Sequence, residues 1–304
     1  MTARRKRKSK KKTNQRSKYL KIFIFLVLIF ILVFFLKPNK FVGEDKFSIG
    51  IRGLDENIYL VLIDSKNEKI TKIVVPNNTQ VEVAGGYGRW KVGSVWELGY
   101  NEKLEGQLLA DTLFKNFGIP VHSWGDYRLL EIFEKNFIDI VKGIFVPLKT
   151  NLSFGDRAKL AIFSMGVSNH NRDNILLKNT SFLKVKKLES GEDGYEVTNN
   201  VPIFIYILGS EDLLVKNGAA VLVVNRTGTS AIVDEVGKLF GILGGKVSLV
   251  KTREPEDIDC RVRGKNQKMV LRITDIFGCD RGEGEFGGNF DIEMILGTAF
   301  AKRF

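Results

Sequence analysis

The chain has 304 residues and a formal net charge of +12, which is enough length for one large or two modest domains. Its two cysteines and two histidines exclude a disulfide framework and give no basis for a zinc site or a serine-type triad. Eleven of the 47 Lys and Arg lie in residues 1–21, which hold no acid, so the rest carries 36 cations against 35 acids. The basicity therefore belongs to the N-terminal tail. Nucleic-acid binding by that tail is the alternative to a topology signal, and we expect no nucleic-acid partner.

Residues 22–36 are fifteen apolar side chains without a break. In hydrocarbon only a helix satisfies its own backbone, so we predict a transmembrane helix over 19–36, which spans about 27 Å. Residues 1–18 then form a basic cytoplasmic tail, and the chain from 37 onward lies outside the cell membrane. A cleaved signal peptide would have a shorter core and a small-residue cleavage site, and residues 36–45 offer none. We expect an uncleaved, single-pass signal anchor.

A polar connector over 37–46 leads into a region with both strand and helix patterns, which we predict to be one domain over 47–215. Two β-branched runs joined by a polar loop indicate a hairpin, and Pro76 ends its second strand. Gly118, with Pro120 beyond it, ends a helix. The pattern Ser153-x-x-Asp156 predicts a capping box. The predicted elements are strands over 58–63, 70–75 and 182–185, helices over 104–117 and 129–141, and a helix from Ser153.

From residue 216 a second domain is predicted, with the order β-α-β-β-α-β and two layers. Its predicted elements are strands over 220–224, 247–250, 260–263 and 290–296, with helices over 232–243 and 266–277. An antiparallel course of the 260–263 strand and the helix after it brings Cys260 near Cys279. A disulfide is then geometrically possible in an oxidising space, and two separate buried thiols are the alternative. The fold class is α/β (α+β).

Two segments now resemble a known family. Residues 58–118 resemble the LytR–CpsA–Psr domain of bacterial cell-envelope proteins through the hairpin, Val-Pro-Asn-Asn-Thr at 75–79 and Lys-Val-Gly-Ser at 91–94. Residues 220–297 resemble the C-terminal domain found with that family, through an Asn-x-Thr-Gly turn at 225–228 and a closing strand at 291–297. The resemblance implies an α-β-α domain behind a signal anchor.

The resemblance also implies an activity, since active members are phosphotransferases that move glycopolymers from polyprenyl-pyrophosphate to peptidoglycan. That chemistry needs guanidinium groups and a metal ion to neutralise the pyrophosphate. The family's Pro-Arg-Asp-Thr is here Pro76-Asn77-Asn78-Thr79, so an amide replaces both the cation and the acid. The later arginine-rich block is absent from residues 146–153, and the first loop is shortened to residues 50–56.

Four side chains remain as candidates for a residual site. Arg52, Arg89 and Lys91 are candidate anion- or phosphate-binding cations, and Glu56 falls near the place of the family's magnesium aspartate. A surface ion pair explains Arg52 and Glu56 equally well. Solvated loop cations around a half-buried Trp90 are the plainer reading of Arg89 and Lys91.

The leading functional prediction is a non-catalytic envelope protein that binds wall glycopolymer, the polyprenyl-phosphate lipid carrier or a partner protein. The alternative is a residual phosphotransferase, and only that reading would call for Mg²⁺. The second alternative is a transcriptional attenuator. For that role the cytoplasmic portion is a tail of about 18 residues, too short to fold into a reader of base edges.

Overall fold

The structure is a computed structural model that describes residues 18–22, 25, 41, 46–134, 136–188, 191–284 and 288–304. The basic tail, most of the predicted anchor over 19–36 and most of the connector lie outside these ranges. Within them, no helix combines the length and the apolar composition needed to cross a bilayer.

The first sheet has the strand order β6-β1-β2-β3-β7. Its strands are β1 (Lys46–Arg52), β2 (Ile58–Asp64), β3 (Lys69–Val75), β6 (Ser123–Asp126) and β7 (Arg172–Leu176). Strands β2 and β3 form the predicted hairpin, in register from the Ile58–Val75 pair to the Asp64–Lys69 pair. Strands β6 and β7 lie parallel to their neighbours at the two edges. Residue 46 belongs to β1, so the connector ends one residue earlier than predicted.

Helices cover both faces of this sheet. One face packs against α1 (Val92–Asn101) and α2 (Gln107–Phe117), and the other against α3 (Phe137–Phe145) and α4 (Phe154–Gly166). Along β2, Leu60 is buried in the core on the side of α1 and α2, which we call the first core. Val61 is buried in the core on the side of α3 and α4, which we call the second core. Burial on both sides explains why this strand is a continuous apolar run rather than an alternating one.

Between the first sheet and α4, the structure contradicts one predicted helix and confirms the predicted capping box. The helix predicted over 129–141 is instead a 3₁₀ segment over Tyr127–Phe133 followed by α3. The break occurs because the side chain of Asn136 caps a new helix by accepting the Ile138 N–H. The capping box of α4 is present, with Ser153 and Asp156 each accepting the other's backbone N–H at 3.0 Å.

Phe41 lies apart from the other described residues in sequence but is buried in the second core. Its backbone N–H donates to the Asp156 carboxylate of α4 at 3.0 Å. Its ring lies 5.4 Å from that of Phe47 and 6.2 Å from that of Phe163. The chain is therefore fixed to α4 immediately before β1 begins.

A second sheet, of order β5-β4-β9-β8, lies beside the first. Its strands are β4 (Thr79–Val83), β5 (Gly88–Lys91), β8 (Leu183–Lys187) and β9 (Asp193–Val197). The strand predicted over 182–185 is β8, shifted by one residue and extended to Lys187. Two short helices follow, α5 (Ile203–Gly209) and α6 (Asp212–Asn217).

The C-terminal part follows the predicted β-α-β-β-α-β order and adds one short strand and one short helix. Its elements are β10 (Ala220–Arg226), α7 (Ala231–Leu243), β11 (Lys246–Thr252), β12 (Cys260–Gly264), α8 (Gln267–Phe277), β13 (Asp280–Arg281), β14 (Ile292–Gly297) and α9 (Thr298–Arg303). The strand order is β11-β10-β14-β12-β13. Val223, Val236 and Ile273 share one core, so α7 and α8 pack on the sheet. Phe114 of α2 joins this core, with its ring 5.3 Å from that of Phe277.

Candidate functional site

The candidate site is centred on the turn that carries the altered motif. Pro76 follows the last residue of β3, and its carbonyl accepts the Thr79 N–H at 3.0 Å, which closes a four-residue turn. Thr79 opens β4 and is fully buried. Pro76 and Thr79, the two residues that match the family's Pro-Arg-Asp-Thr pattern, are therefore the first and last residues of the turn.

Asn77 joins this turn to two neighbouring elements. Its backbone N–H donates to Asn57 Oδ1 at 2.9 Å, and its Nδ2 lies 3.4 Å from the Asp55 carbonyl oxygen. Its own carbonyl accepts the N–H of Gly93 in the first turn of α1 at 3.0 Å. A Cβ added at Gly93 would lie 2.9 Å from that of Asn77, so the approach needs glycine. Asn77 thus holds together the loop after β1, the turn and α1.

Asn78 holds the turn to the second sheet. Its Nδ2 donates to the Asp193 carbonyl at 2.8 Å, and its carbonyl accepts the Tyr195 N–H at 3.2 Å. An ionised carboxylate has no proton to donate, so an aspartate at this position would face the Asp193 carbonyl without a hydrogen bond. The amide of Asn78 therefore has a structural task that the family's acid cannot perform.

Arg52 ends β1 and lies between two carboxylates. Its guanidinium is 3.6 Å from Glu56 and 3.5 Å from Glu97 of α1. Its Nε is buried and has no hydrogen-bond partner among the described residues. Two acids around one guanidinium leave a negative local charge, which disfavours an anion there. The strand reaches Arg52, so the loop predicted over 50–56 is confined to the residues between β1 and β2.

The acids beside the turn do not fit a magnesium site. Glu56 pairs with Arg52, whose charge repels a metal cation. The Asp55 carboxylate accepts hydrogen bonds from Asn57 at 2.6 Å and Tyr59 at 3.1 Å. Among the residues that the structure describes, no group of three or more His, Cys, Asp or Glu is arranged to hold a metal.

Arg89 and Lys91 lie two residues apart on β5, so both side chains leave the same face of the strand. Arg89 is 3.6 Å from Glu82 and 3.4 Å from Glu196, and Lys91 is paired with Glu192. Trp90 points to the other face, and its indole N–H donates to the Tyr87 carbonyl at 2.9 Å. All three of these acids lie in or beside the second sheet.

The candidate cation beside the first sheet, Arg52, and the two on the second sheet, Arg89 and Lys91, form ion pairs with different acids. Within the described ranges, Arg52 pairs with acids of the first loop and α1, and the other two cations pair with acids of the second sheet. Each predicted anion-binding residue therefore already has an acidic partner. Two of these pairings, Arg89 with Glu196 and Lys91 with Glu192, join residues more than a hundred positions apart, which sequence spacing does not reveal.

A cavity of ≈ 500 Å³ lies elsewhere, between the β2–β3 hairpin and α5. Its apolar walls include Leu62, Ile207 and Leu208, and its charged lining includes Lys46. Lys46 Nζ donates to the Ile207 carbonyl at 2.7 Å and to both oxygens of Ser210 at 2.9 Å. Burial lowers the pKa of Lys46. This cavity could not be predicted from the sequence, because its walls come from segments about 140 residues apart.

Cys260 and Cys279 form a disulfide, with their Cα atoms 4.9 Å apart. Cys260 opens β12, and Cys279 follows Gly278, whose φ of 62° ends α8. Of the two alternatives that the sequence left open, the structure contains the linked pair. The bond connects the start of β12 in the C-terminal sheet to the residue that follows the end of α8.

Comparison with family models gives no match, and comparison with curated proteins gives none either. Several solved structures are similar in fold. They include B. subtilis TagT (15% identity, 52% of this chain and 86% of that chain, TM-score 0.37) and B. subtilis TagV (11%, 67% and 99%, 0.40). A third is a "LytR-CPS2A-psr family protein YwtF (TagT) with bound octaprenyl pyrophosphate lipid" (16%, 52% and 88%, 0.37). At such values the similarity concerns the fold alone. That description names the family whose domain the segment over 58–118, with its motif at 75–79, resembles.

Proposed function

We propose that this chain is a single-pass envelope protein that binds a lipid carrier, wall glycopolymer or partner protein and does not transfer phosphoryl groups. The observation that carries the proposal is the bonding of Asn77 and Asn78. Both amides hold the turn to its neighbours, at the positions where the family has an arginine and an aspartate.

The charges around the turn support a role without catalysis. Breaking a pyrophosphate bridge requires cations that remain available to its developing negative charge. Arg52 is flanked by Glu56 and Glu97, and Arg89 by Glu82 and Glu196. A phosphate would have to displace these acids before it gained any neutralisation.

Of the three ligand classes, the cavity beside α5 favours the lipid carrier. Its lining includes the apolar side chains of Leu62, Ile207 and Leu208, which suit a hydrocarbon chain. Lys46 and Lys69 lie at the same cavity, together with two aspartates. The predicted anchor over 19–36 would hold the cavity near the membrane in which such a carrier resides.

The test uses full-length protein in nanodiscs, supplied with Mg²⁺, a polyprenyl-pyrophosphate glycan and peptidoglycan acceptor. We expect the lipid to bind, as seen by native mass spectrometry, with no glycan transferred to the acceptor. Ile207→Glu should weaken lipid binding because it places a charge in the cavity wall. Ile203→Glu is the matched control, since Ile203 lies one turn earlier on α5, is exposed and does not line the cavity.

Two outcomes would overturn the proposal in different ways. Glycan transfer that Arg52→Gln abolishes would establish the residual phosphotransferase instead. Equal lipid binding by the Ile207→Glu variant and the Ile203→Glu control would show that the cavity is not the binding site. Binding of glycopolymer without its lipid would favour the wall polymer as the ligand.

A further inference from the structure

A second cavity lies between β3, β7 and the 3₁₀ segment that ends at Phe133. Its volume is ≈ 260 Å³, below the roughly 300–1,000 Å³ of cavities that hold drug-sized ligands. We call it the β3–β7 pocket. Its lining includes Lys72 of β3, Asn174 of β7, and Phe133 with the following Glu134. A pocket of this size suits a small molecule or one unit of a polymer.

The register of the first sheet places the strand residues of the pocket on one face. Strands β3 and β7 are parallel, with Ile70 opposite Arg172 and Lys72 opposite Asn174. Side chains two residues apart on a strand share a face, so all four lie on the side of the second core. Ile70 and Phe133 are buried in that core and also line the pocket. The β3–β7 pocket therefore has an apolar floor, with polar side chains around it.

Arg172 fixes the wall of the pocket. Its Nη1 donates to the Phe133 carbonyl at 2.7 Å, and its Nη2 donates to Ser164 Oγ of α4 at 3.1 Å. Nη2 also donates to the Ser164 carbonyl. These bonds connect β7 to the two segments beside it. The wall is thus in place before a ligand arrives, which lowers the cost of binding.

The other polar side chains keep their hydrogen-bonding capacity for a ligand. Lys72, Asn169 and Asn174 line the pocket, and their side chains form no hydrogen bond or ion pair with any described residue. Glu134 and both asparagines are exposed. Each amide donates and accepts, the ammonium group donates, and the carboxylate accepts. A hydroxyl group does both as well, so a ligand rich in hydroxyl groups matches this set.

The charges beside the pocket favour a neutral ligand. Lys72 attracts an anion, but Glu134 repels it, and the guanidinium of Arg172 is directed at backbone carbonyls and a hydroxyl. The Asp173 carboxylate is paired with Lys69 at 2.7 Å. A purely apolar ligand would take the ammonium group and the amides out of water without giving them partners, which costs free energy. A neutral molecule with several polar groups avoids both penalties.

We infer that the β3–β7 pocket binds one neutral sugar unit of a glycan. The carbon face of the sugar ring lies on the apolar floor at Phe133. Its hydroxyl or acetamido groups bond to Lys72, Glu134, Asn169 and Asn174. The inference rests on the proposed function in one respect, since wall glycopolymer is one of the ligand classes proposed there.

The β3–β7 pocket is separate from both regions discussed above. Leu62 and Thr71, which line the cavity beside α5, are paired across the β2–β3 hairpin and point to its other face. Lys72 precedes Pro76 of the altered turn by four residues, which is about 13 Å along an extended strand. Sugar binding and lipid binding can therefore be tested independently.

The test uses full-length protein in nanodiscs, with chitotriose and cellotriose as neutral probes and saturation-transfer NMR as the readout. We expect at least one of the two trisaccharides to bind. Asn174→Leu and Lys72→Met should each weaken binding by about tenfold, because each removes hydrogen bonds to the sugar. Asn200→Leu and Lys238→Met make the same changes at exposed positions that do not line the pocket. These controls should bind like the native protein, and the unfolding midpoint of each variant checks that it is folded.

Three outcomes would overturn the inference. They are the absence of binding by both trisaccharides, equal binding by the Asn174→Leu variant and the Asn200→Leu control, and displacement of the trisaccharide by inorganic phosphate, which would indicate an anion site.

The lipid and transfer assays separate this inference from the proposed function. Lipid binding without trisaccharide binding would contradict the sugar pocket alone. Glycan transfer by a protein that binds the trisaccharide in this pocket would contradict only the proposal that the protein is not catalytic. Ile207→Glu, in the cavity beside α5, should leave trisaccharide binding unchanged.

Discussion

The guanidinium of Arg272 donates two hydrogen bonds to the carboxylate of Glu211, at 2.7 and 3.0 Å. The same guanidinium donates to the carbonyl of Lys46 at 3.0 Å. Arg272 lies on α8, whereas Glu211 joins α5 to α6 and Lys46 begins β1. Since both side chains of the pair are largely buried, this contact joins α8 to the start of the first sheet.

We expect Arg272→Met to reduce the free energy of unfolding by about 3 kcal/mol, because it removes the two charged hydrogen bonds that Arg272 donates to the buried Glu211 carboxylate. Thermal or denaturant unfolding measures this loss. Lys302→Met is the control, since its pair with Asp257 spans 4.0 Å between two exposed side chains and should contribute less than about 0.5 kcal/mol. Equal losses in the two variants would contradict the fastening role of Glu211.

Asn78→Asp introduces the acid found at this position in the family that the motif resembles, and it removes the proton donated to the Asp193 carbonyl. We expect a loss of about 1 kcal/mol in the free energy of unfolding and no gain of glycan transfer. Denaturant unfolding and the nanodisc transfer assay measure the two effects. Asn200→Asp makes the same chemical change at an exposed position and should be close to neutral. Glycan transfer by the Asn78→Asp variant would show that the amide of Asn78 alone prevents catalysis in the native protein.

Gly93→Ala should loosen the junction between the altered turn and α1. The new methyl group would lie 2.9 Å from Asn77 Cβ and 3.1 Å from the Glu56 carbonyl oxygen, so we expect a loss of about 1–3 kcal/mol on unfolding. Gly237→Ala is the matched change in α7, where a Cβ meets nothing within 4 Å. That variant should be stabilised by about 0.5–1 kcal/mol, and a loss comparable to that of Gly93→Ala would refute the steric argument.

The disulfide should make the stability of the fold sensitive to reductant. The two cysteines are 19 residues apart, and closing a loop of this size stabilises a fold by about 3 kcal/mol. Unfolding monitored with and without reductant should show this difference. Cys260→Ala/Cys279→Ala should unfold at the reduced midpoint under both conditions. If the unfolding midpoint of the native protein were the same with and without reductant, the disulfide would not be stabilising.

Glu196 should contribute to stability above its ordinary pKa and lose that contribution in acid. The hydrogen bond from Lys186, 2.9 Å long, lowers the pKa of Glu196 below its ordinary value of 4.5, with further help from the charges of Lys186 and Arg89. The folded form therefore binds this proton less readily than the unfolded form, and stability falls as the pH drops below about 4.5 towards the folded pKa.

Carbon-detected NMR of the Glu196 carboxyl measures its midpoint directly. Lys186→Met should raise that midpoint towards the ordinary value, and Glu196→Gln should flatten the pH dependence of unfolding in the same range. Because both side chains are partly exposed, the free energy involved is less than about 1 kcal/mol. An unchanged midpoint in Lys186→Met would contradict the hydrogen bond as its cause.

The elements that could be predicted from the sequence are those specified by nearby residues. The β2–β3 hairpin follows from two apolar runs and one polar loop, and the capping box of α4 from Ser153 and Asp156. The ends of α2 and α8 follow from Gly118 and Gly278, which adopt positive φ after each helix. Each of these signals acts within a few residues, so no knowledge of the rest of the fold was required.

The remaining features depend on contacts between distant segments. The apolar spacing over 129–141 fits one helix, but Asn136 starts a new helix, and Phe137 is exposed rather than buried. Arg89 and Lys91 have partners at residues 196 and 192, and the cavity lined by Leu62 and Ile207 needs α5 beside the β2–β3 hairpin. The sequence identified the candidate cations, the altered motif and the pairing of Arg52 with Glu56, but not the more distant acids Glu97, Glu192 and Glu196.

The fixation of Phe41 to Asp156 has a mechanical consequence. A pull applied through the N-terminal segment reaches Phe41 and passes both to α4, through Asp156 and Phe163, and to Phe47 of β1. Helix α4 and β1 therefore share the load, and the backbone of β1 is not the single element that resists it.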